Sequence, residues 1–145
     1  MADNYLVSEK NGNICTITLN RPEKRNAINV AMLTGLCEMV EHQVSDPEVR
    51  AIILKGEGKI FSAGVDFNSL GAEVGACLGE VEAGGAALRA LIYRFQPYLN
   101  RLEAVEVPII CAMHGRALGL AVELALACDI RLMSADCIWS MPELK

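Results

Sequence analysis

Two short segments made only of apolar residues constrain the fold of this chain most strongly. They cover residues 51–54 and 109–113, and strands of this kind are usually buried on both faces of a sheet. Across residues 30–44, apolar side chains recur every three or four positions, which predicts a helix with one buried face. The residues of that face are Met32, Leu33, Leu36, Met39, Val40 and Val44. Asn29 precedes the helix and can cap its first turn.

The other predicted elements complete an alternating order of strands and helices. They are strands at 5–8, 14–19, 129–133 and 138–141 and a helix at 86–101, in which we expect Pro97 to cause a kink or a break. Asn11 and Gly12 lie between the first two strands and predict a hairpin. The order β-β-α-β-α-β-α-β predicts a single α/β domain over residues 1–145, with a sheet covered by helices.

The charge of the chain excludes some classes of partner. The net charge is −5 and the sequence pI is near 5.0, which argues against a nucleic-acid surface. No apolar run is long enough to span a membrane. Arg21, Lys24 and Arg25 form the nearest approach to a basic cluster, and three cations suit one phosphorylated small molecule.

The cysteines and histidines indicate the compartment and exclude some chemistry. The six cysteines form no C-x-x-C pair, and Cys15, Cys37, Cys111 and Cys128 lie in apolar segments, where a free thiol behaves as a small hydrophobe. No apolar signal segment follows Met1, so we expect reduced thiols and a cytoplasmic location. With only two histidines, neither a histidine-based metal site nor a Ser–His triad is expected.

Glu123 stands alone as a carboxylate in the apolar segment 118–128. A helix that is apolar all round is buried on every side, and burying an unpaired carboxylate is costly. One interpretation is structural, with Glu123 bound to a backbone amide or to Arg116. The other is a general acid or base, because desolvation beside a cleft raises the pKa of a carboxyl group toward neutrality.

The start of that helix favours the second interpretation. If the helix begins near Gly119, the amide of Leu120 has no carbonyl four residues earlier and stays free. Glu123 lies three residues later on the same face, close to the positive end of the helix dipole. A free amide and a carboxylate at one place form half of an oxyanion hole beside a proton-transfer group.

Two further segments carry weaker signals. The segment FSAGVD at 61–66 follows a buried strand, and its small residues would let backbone amides approach a ligand closely. An ordinary strand-to-helix loop explains it equally well. Glu143 lies twenty residues after Glu123, and a glutamate at such a position is usually a surface residue. Its interest comes from the pairing with Glu123.

Together these segments resemble the crotonase (enoyl-CoA hydratase/isomerase) family. The matching stretches are LNRP with NA at 19–27, FSAGVD at 61–66, HGRALG at 114–119, ELA with CD at 123–129 and MPE at 141–143. Each stretch is weak alone, but all five occur in the family's order and spacing. The resemblance implies a fold of ββα units wound into a spiral.

The resemblance also implies a binding site for an acyl-CoA thioester. In this family two backbone amides hold the thioester oxygen as it becomes an enolate, and by position they would be those of Ala63 and Leu120. The implied CoA and substrate contacts are Lys24, Arg25, Ala27, Ala63, Gly64, Val65 and Asp66. Coenzyme A belongs to the substrate, so no separate cofactor and no metal are implied.

The two glutamates select a reaction within the family. Hydratases have acidic residues at both positions, so Glu123 and Glu143 would orient one water for syn addition to a 2-enoyl thioester. The alternatives are another crotonase activity, such as an enoyl-CoA isomerase or acyl-CoA hydrolase, or a non-catalytic binding or assembly fragment. Leu120 and Ala121 stand where hydratases usually have glycines, so we expect either a narrower pocket or a shifted substrate preference.

Members of the family extend well beyond position 145. We therefore expect this chain to match the N-terminal half of such a protein, without the C-terminal helices that roof the acyl pocket and build trimers. The complete protein is expected to be a homo-oligomer, a trimer or hexamer, that uses acyl-CoA and binds neither nucleic acid nor membrane.

Overall fold

The protein is an α/β structure, as the order of its segments predicts. The structure, a computed structural model, describes residues 5–69 and 85–142, with residues 85–92 as backbone alone. Its strands are β1 (Leu6–Asn11), β2 (Ile14–Leu19), β3 (Ala51–Gly56), β4 (Ile109–Met113), β5 (Arg116–Leu118), β6 (Ile130–Met133) and β7 (Ile138–Ser140). Its helices are a short 3₁₀ turn (Pro22–Lys24), α1 (Val30–Val44), α2 (Gly85–Glu103) and α3 (Leu120–Leu126).

Five strands form the main sheet in the order β1-β2-β3-β4-β6. β1 and β2 are an antiparallel hairpin in which Asn11 pairs with Ile14, so Gly12 and Asn13 form the turn. The pairs β2–β3, β3–β4 and β4–β6 are parallel. β5 and β7 pair in parallel in a separate two-stranded sheet. Parallel neighbours require crossovers, and α1 and α2 are connections of that kind.

The core lies between α1 and the sheet and holds the predicted helix face. Met32, Leu33, Leu36 and Val40 are at most 2% exposed, whereas Met39 and Val44 are partly buried at its margin. The Asn29 side chain accepts a hydrogen bond from the Met32 amide at 2.8 Å, which confirms the predicted cap. The four cysteines predicted to be apolar core residues are buried free thiols: Cys15, Cys37, Cys111 and Cys128.

Some local expectations are wrong. Of the two effects predicted for Pro97, the break does not occur, because α2 continues through it as one helix from Gly85 to Glu103. The residues after Gly115 form β5 before the next helix starts, because a partner strand, β7, is close enough to pair with them. β3 and β4 are not buried on both faces: each has one fully buried face, and Ile53 and Ile110 on the other faces are only half-buried.

Large apolar side chains are exposed where the described residues end. They belong to α3, β6 and β7: Leu126, Ile130, Leu132, Met133, Ile138 and Trp139. Leu126 is 53% exposed, so α3 is not buried on every side as predicted. β6 is also an edge strand of the main sheet. Exposed apolar surface beside a strand edge to which no described residue pairs is typical of an interaction surface. No helix within the described ranges is both long and apolar enough to cross a membrane.

Candidate active site

The predicted free amide at the start of α3 is present. α3 begins at Leu120, and Gly119 precedes it with φ 52°. The first intrahelical carbonyl, that of Gly119, accepts from the amides of Val122 and Glu123. Among the described residues, the Leu120 amide has no hydrogen-bond acceptor. The side chains of Leu120 and Ala121, which stand where hydratases usually have glycines, are buried in the core.

The amide of Ala63 is not available to a ligand, which contradicts its predicted role. It donates to the carbonyl oxygen of Arg25 at 2.9 Å. The neighbouring Gly64 amide donates to the Ser62 hydroxyl at 3.1 Å. Both hydrogen bonds are internal to the loops, so neither amide can serve an oxyanion without breaking one of them.

Val65 supplies the donor that sequence reasoning missed. The Asp66 amide donates to Ile28 at 2.8 Å, and successive amides of an extended segment point to opposite sides. The Val65 amide therefore points away from Ile28, and within the described ranges it has no acceptor. Gly64 has a φ of +85°. This positive φ interrupts the regular alternation of amide directions between Ala63 and Asp66. A prediction from sequence assumes that amide directions alternate regularly along an extended segment, so it does not anticipate this change at Gly64.

Gly64 brings the two free amides together. A Cβ added at Gly64 would lie 2.4 Å from the Leu118 carbonyl oxygen and 3.5 Å from the Leu120 nitrogen. Only glycine allows both this approach and the positive φ. The peptide between Gly64 and Val65 thus lies against the chain that enters α3. The Val65 and Leu120 amides are the two available donors of this site.

Asn26 holds the loop that carries these groups. It is fully buried with φ 51°, and its Oδ1 accepts from the Arg21 amide at 2.9 Å. Its Nδ2 lies within hydrogen-bond distance of three carbonyl oxygens at 2.8–3.2 Å, those of Glu57, Ile60 and Phe61. Its own carbonyl accepts from the Ser62 hydroxyl at 2.7 Å. One side chain therefore ties the 3₁₀ turn to the segment 57–62.

Arg21 and Asp66 form an internal ion pair, which corrects the predicted ligand contact of Asp66 and removes Arg21 from the predicted cation cluster. Arg21 Nη1 lies 2.8 Å from Asp66 Oδ2 and 2.9 Å from the Ala27 carbonyl, and its guanidinium stacks on Tyr5 at 4.7 Å. Burial acts to raise the pKa of Asp66, but the hydrogen bond and charge of Arg21 outweigh it and lower that pKa. The ionised carboxylate is committed to Arg21, so neither group is free for a phosphate.

The remaining predicted residues differ in their exposure and contacts. Lys24 and Arg25 are exposed, and Arg25 lines a groove that also reaches Ala63. Ala27 is half-buried and contributes its carbonyl to Arg21. Glu123 is half-buried in the first turn of α3, three residues after the free amide. Glu143 lies outside the described residues.

Known proteins match this chain along almost all of its length. The sequence profile of enoyl-CoA hydratase/isomerase matches residues 9–145. A mitochondrial Delta(3,5)-Delta(2,4)-dienoyl-CoA isomerase of Mus musculus is 35% identical over 138 residues, covering 94% of this chain and 42% of that protein. A short-chain-enoyl-CoA hydratase of Clostridium acetobutylicum is 34% identical over 141 residues, covering 97% of this chain and 50% of that protein.

Solved structures agree with the sequence match. An enoyl-CoA hydratase from Mycobacterium smegmatis superposes with a TM-score of 0.83 at 26% identity, covering 97% of this chain and 50% of that one. The parallel sheet and ββα order are therefore those of the crotonase fold, as predicted. The chain spans about half the length of the relatives that it matches. With the profile matched over residues 9–145 and the fold shared, the chain belongs to the enoyl-CoA hydratase/isomerase family.

Proposed function

We propose that the protein binds an acyl-CoA thioester and stabilises the enolate formed from it. The observation that carries this proposal is the pair of available amides, Val65 and Leu120, on either side of the close contact at Gly64. Two fixed N–H groups aimed at one point stabilise an oxygen on which negative charge develops. Loss of one such donor in a hydrolytic enzyme costs about 10²–10³ in rate, which indicates the scale of each contact.

The preferred reaction is addition of water to a 2-enoyl-CoA. Glu123 lies one turn after the Leu120 amide, so its carboxylate is placed to handle a proton close to the thioester oxygen. Glu143 is the second carboxylate of the proposed pair. Together they orient one water and deliver a proton to the α-carbon. Relatives named short-chain-enoyl-CoA hydratase and 2,3-dehydroadipyl-CoA hydratase support this choice.

A second candidate is movement of a double bond in an enoyl- or dienoyl-CoA. Four relatives, 33–35% identical to the chain, are named dienoyl-CoA isomerases. An enolate held by the same two amides is the intermediate of both reactions. A carboxylate then returns the proton to another carbon, and no water is added.

Supplying 2-enoyl-CoA, 3-enoyl-CoA and 3,5-dienoyl-CoA separately to the protein distinguishes the candidates. Hydration is expected for the 2-enoyl thioester and is followed by loss of its conjugated absorbance and by mass, since the product gains one water. If only the 3-enoyl or dienoyl substrate is converted, at constant mass, the isomerase proposal replaces the hydratase proposal. Conversion of none of them contradicts both.

The proposed oligomer follows from the exposed apolar surface. Large side chains on β6 and β7, such as Leu132 at 57% exposure, face outward where the described residues end. The relatives are about twice as long as this chain. We propose that further polypeptide of the whole protein, or a neighbouring subunit of a homo-oligomer, covers this surface. The relatives include mitochondrial and bacterial proteins, so the cytoplasmic location stays a prediction.

A further inference from the structure

A groove of about 670 Å³ lies beside the two available amides. Three segments that are far apart in sequence each contribute one cation to its lining, namely Arg25, Lys59 and Arg116. Two carboxylates, Glu23 and Glu57, also line it, so the five charged side chains sum to a net charge of about +1. The protein as a whole carries −5. The groove is thus locally positive on an acidic protein.

The three cations of the groove have no side-chain partner among the described residues. Their side chains are exposed, and within residues 5–69 and 85–142 none forms an ion pair or a side-chain hydrogen bond. Arg21 and Arg101, by contrast, each pair with a carboxylate at 2.8–2.9 Å. Glu23 and Glu57 line the same groove but form no ion pair with its cations, so they lower its net charge without occupying a guanidinium or ammonium group. No described residue therefore competes with an anion from solution for these cations.

The groove adjoins the proposed thioester site. Ala63 and Leu118 lie in its wall, and Leu118 contacts the position where a Cβ of Gly64 would be. β5 runs from Arg116 to Leu118, and the chain then enters α3 at Leu120. At about 3.3 Å per strand residue, Arg116 begins roughly 7 Å behind Leu118. A ligand held at the amides can extend along β5 and reach the groove with its far end.

We propose that Arg116 is a specificity-determining residue that binds a phosphate group of the CoA portion of the substrate. This rests on the proposed function, which places the thioester at the Val65 and Leu120 amides. A guanidinium can bind two phosphate oxygens at once, which an ammonium cannot do. Arg116 thereby selects thioesters with a phosphorylated carrier over the same acyl group on an unphosphorylated one. Arg25 and Lys59 add attraction from the other walls of the groove.

Titration calorimetry of the protein with coenzyme A, 3′-dephospho-coenzyme A and pantetheine tests the proposal. Arg116→Gln is expected to weaken coenzyme A binding by about fivefold to tenfold, the effect of one partly exposed charge-assisted contact. Its affinity for pantetheine is expected to be unchanged. If the variant loses affinity for coenzyme A alone, Arg116 binds the 3′-phosphate. If it loses affinity for both coenzyme A and 3′-dephospho-coenzyme A, Arg116 binds the diphosphate. Arg50→Gln, an exposed arginine outside the groove, is the matched control and is expected to bind like wild type.

Two results would overturn the role of Arg116. One is an unchanged affinity of Arg116→Gln for coenzyme A, and the other is an equal loss for pantetheine. A wild-type protein that does not bind coenzyme A overturns it as well. The failure of the proposed function looks different: coenzyme A binding still depends on Arg116, but no enoyl- or dienoyl-CoA is converted. Circular dichroism of both variants checks that the fold is retained.

Discussion

Glu123→Gln and Glu143→Gln are each expected to lower the rate of 2-enoyl-CoA hydration by about 10²–10⁴, the usual contribution of one acid–base group. Glutamine keeps the size of the side chain but cannot accept or return a proton. Because both carboxylates handle the same water, the double variant is expected to be little worse than either single variant. Initial rates at saturating substrate, measured by absorbance, provide the comparison.

Glu9→Gln is the control for these two variants, since Glu9 is exposed on β1 far along the chain from α3. Each unfolding midpoint is measured beside the rate, because the alternative interpretation of Glu123 is structural. A purely structural Glu123 would lower the midpoint and leave turnover of the folded fraction intact. Near-wild-type turnover in both variants contradicts the two-glutamate mechanism. Loss in only one of them favours isomerisation by a single base.

Asn26→Asp is expected to destabilise the fold by roughly 3–5 kcal/mol, because the change is isosteric but reverses the hydrogen-bond chemistry. The native Nδ2 faces three carbonyl oxygens at 2.8–3.2 Å. In the variant a carboxylate oxygen faces the same three carbonyl oxygens. The N–H donors of Nδ2 are lost, and the negative carboxylate is repelled by the partial negative charges of the carbonyl oxygens. The side chain is fully buried, so water cannot relieve the repulsion. Urea unfolding followed by fluorescence of Trp139 measures the change.

Asn100→Asp is the matched control for this substitution. Asn100 is exposed on α2, and its Oδ1 accepts only a long hydrogen bond of 3.3 Å from Gln96. The same chemical change there is expected to cost less than about 1 kcal/mol. Equal unfolding free energies for the two variants would contradict the role assigned to Asn26 in holding the loop.

The regular elements were predictable wherever hydrophobic periodicity is strong. The predicted bounds of β2, α1 and β4 match the structure residue for residue, because apolar runs and the Asn29 cap determine them locally. β5 was missed because three residues carry no periodicity, and they become a strand only through pairing with β7. α2 also continues through Pro97, and Tyr98, the next residue, is hydrogen-bonded to Thr34 and Cys37 of α1, a contact between distant segments that the local sequence does not reveal.

One of the two amides of the candidate site could be predicted from the sequence, because only that one is determined by local structure. The free amide of Leu120 follows from where a helix begins, which a glycine and an apolar run reveal. The second amide depends on a contact between distant segments and on the positive φ of Gly64, so the sequence pointed to Ala63 in place of Val65. Arg21 appeared to be a free cation because its partner, Asp66, lies 45 positions away. The exposed groove cation Arg116 carries no local signal at all.

The most direct test of the account is a crystal structure of the protein with an acyl-CoA that it cannot turn over. The thioester oxygen is predicted to lie about 2.7–3.2 Å from both the Val65 and the Leu120 nitrogen atoms. The hydrogen bond from the Ala63 amide to the Arg25 carbonyl, 2.9 Å in the present structure, is predicted to remain intact. A thioester oxygen bound to the Ala63 amide with that bond broken, or bound to neither Val65 nor Leu120, would contradict the proposed oxyanion site.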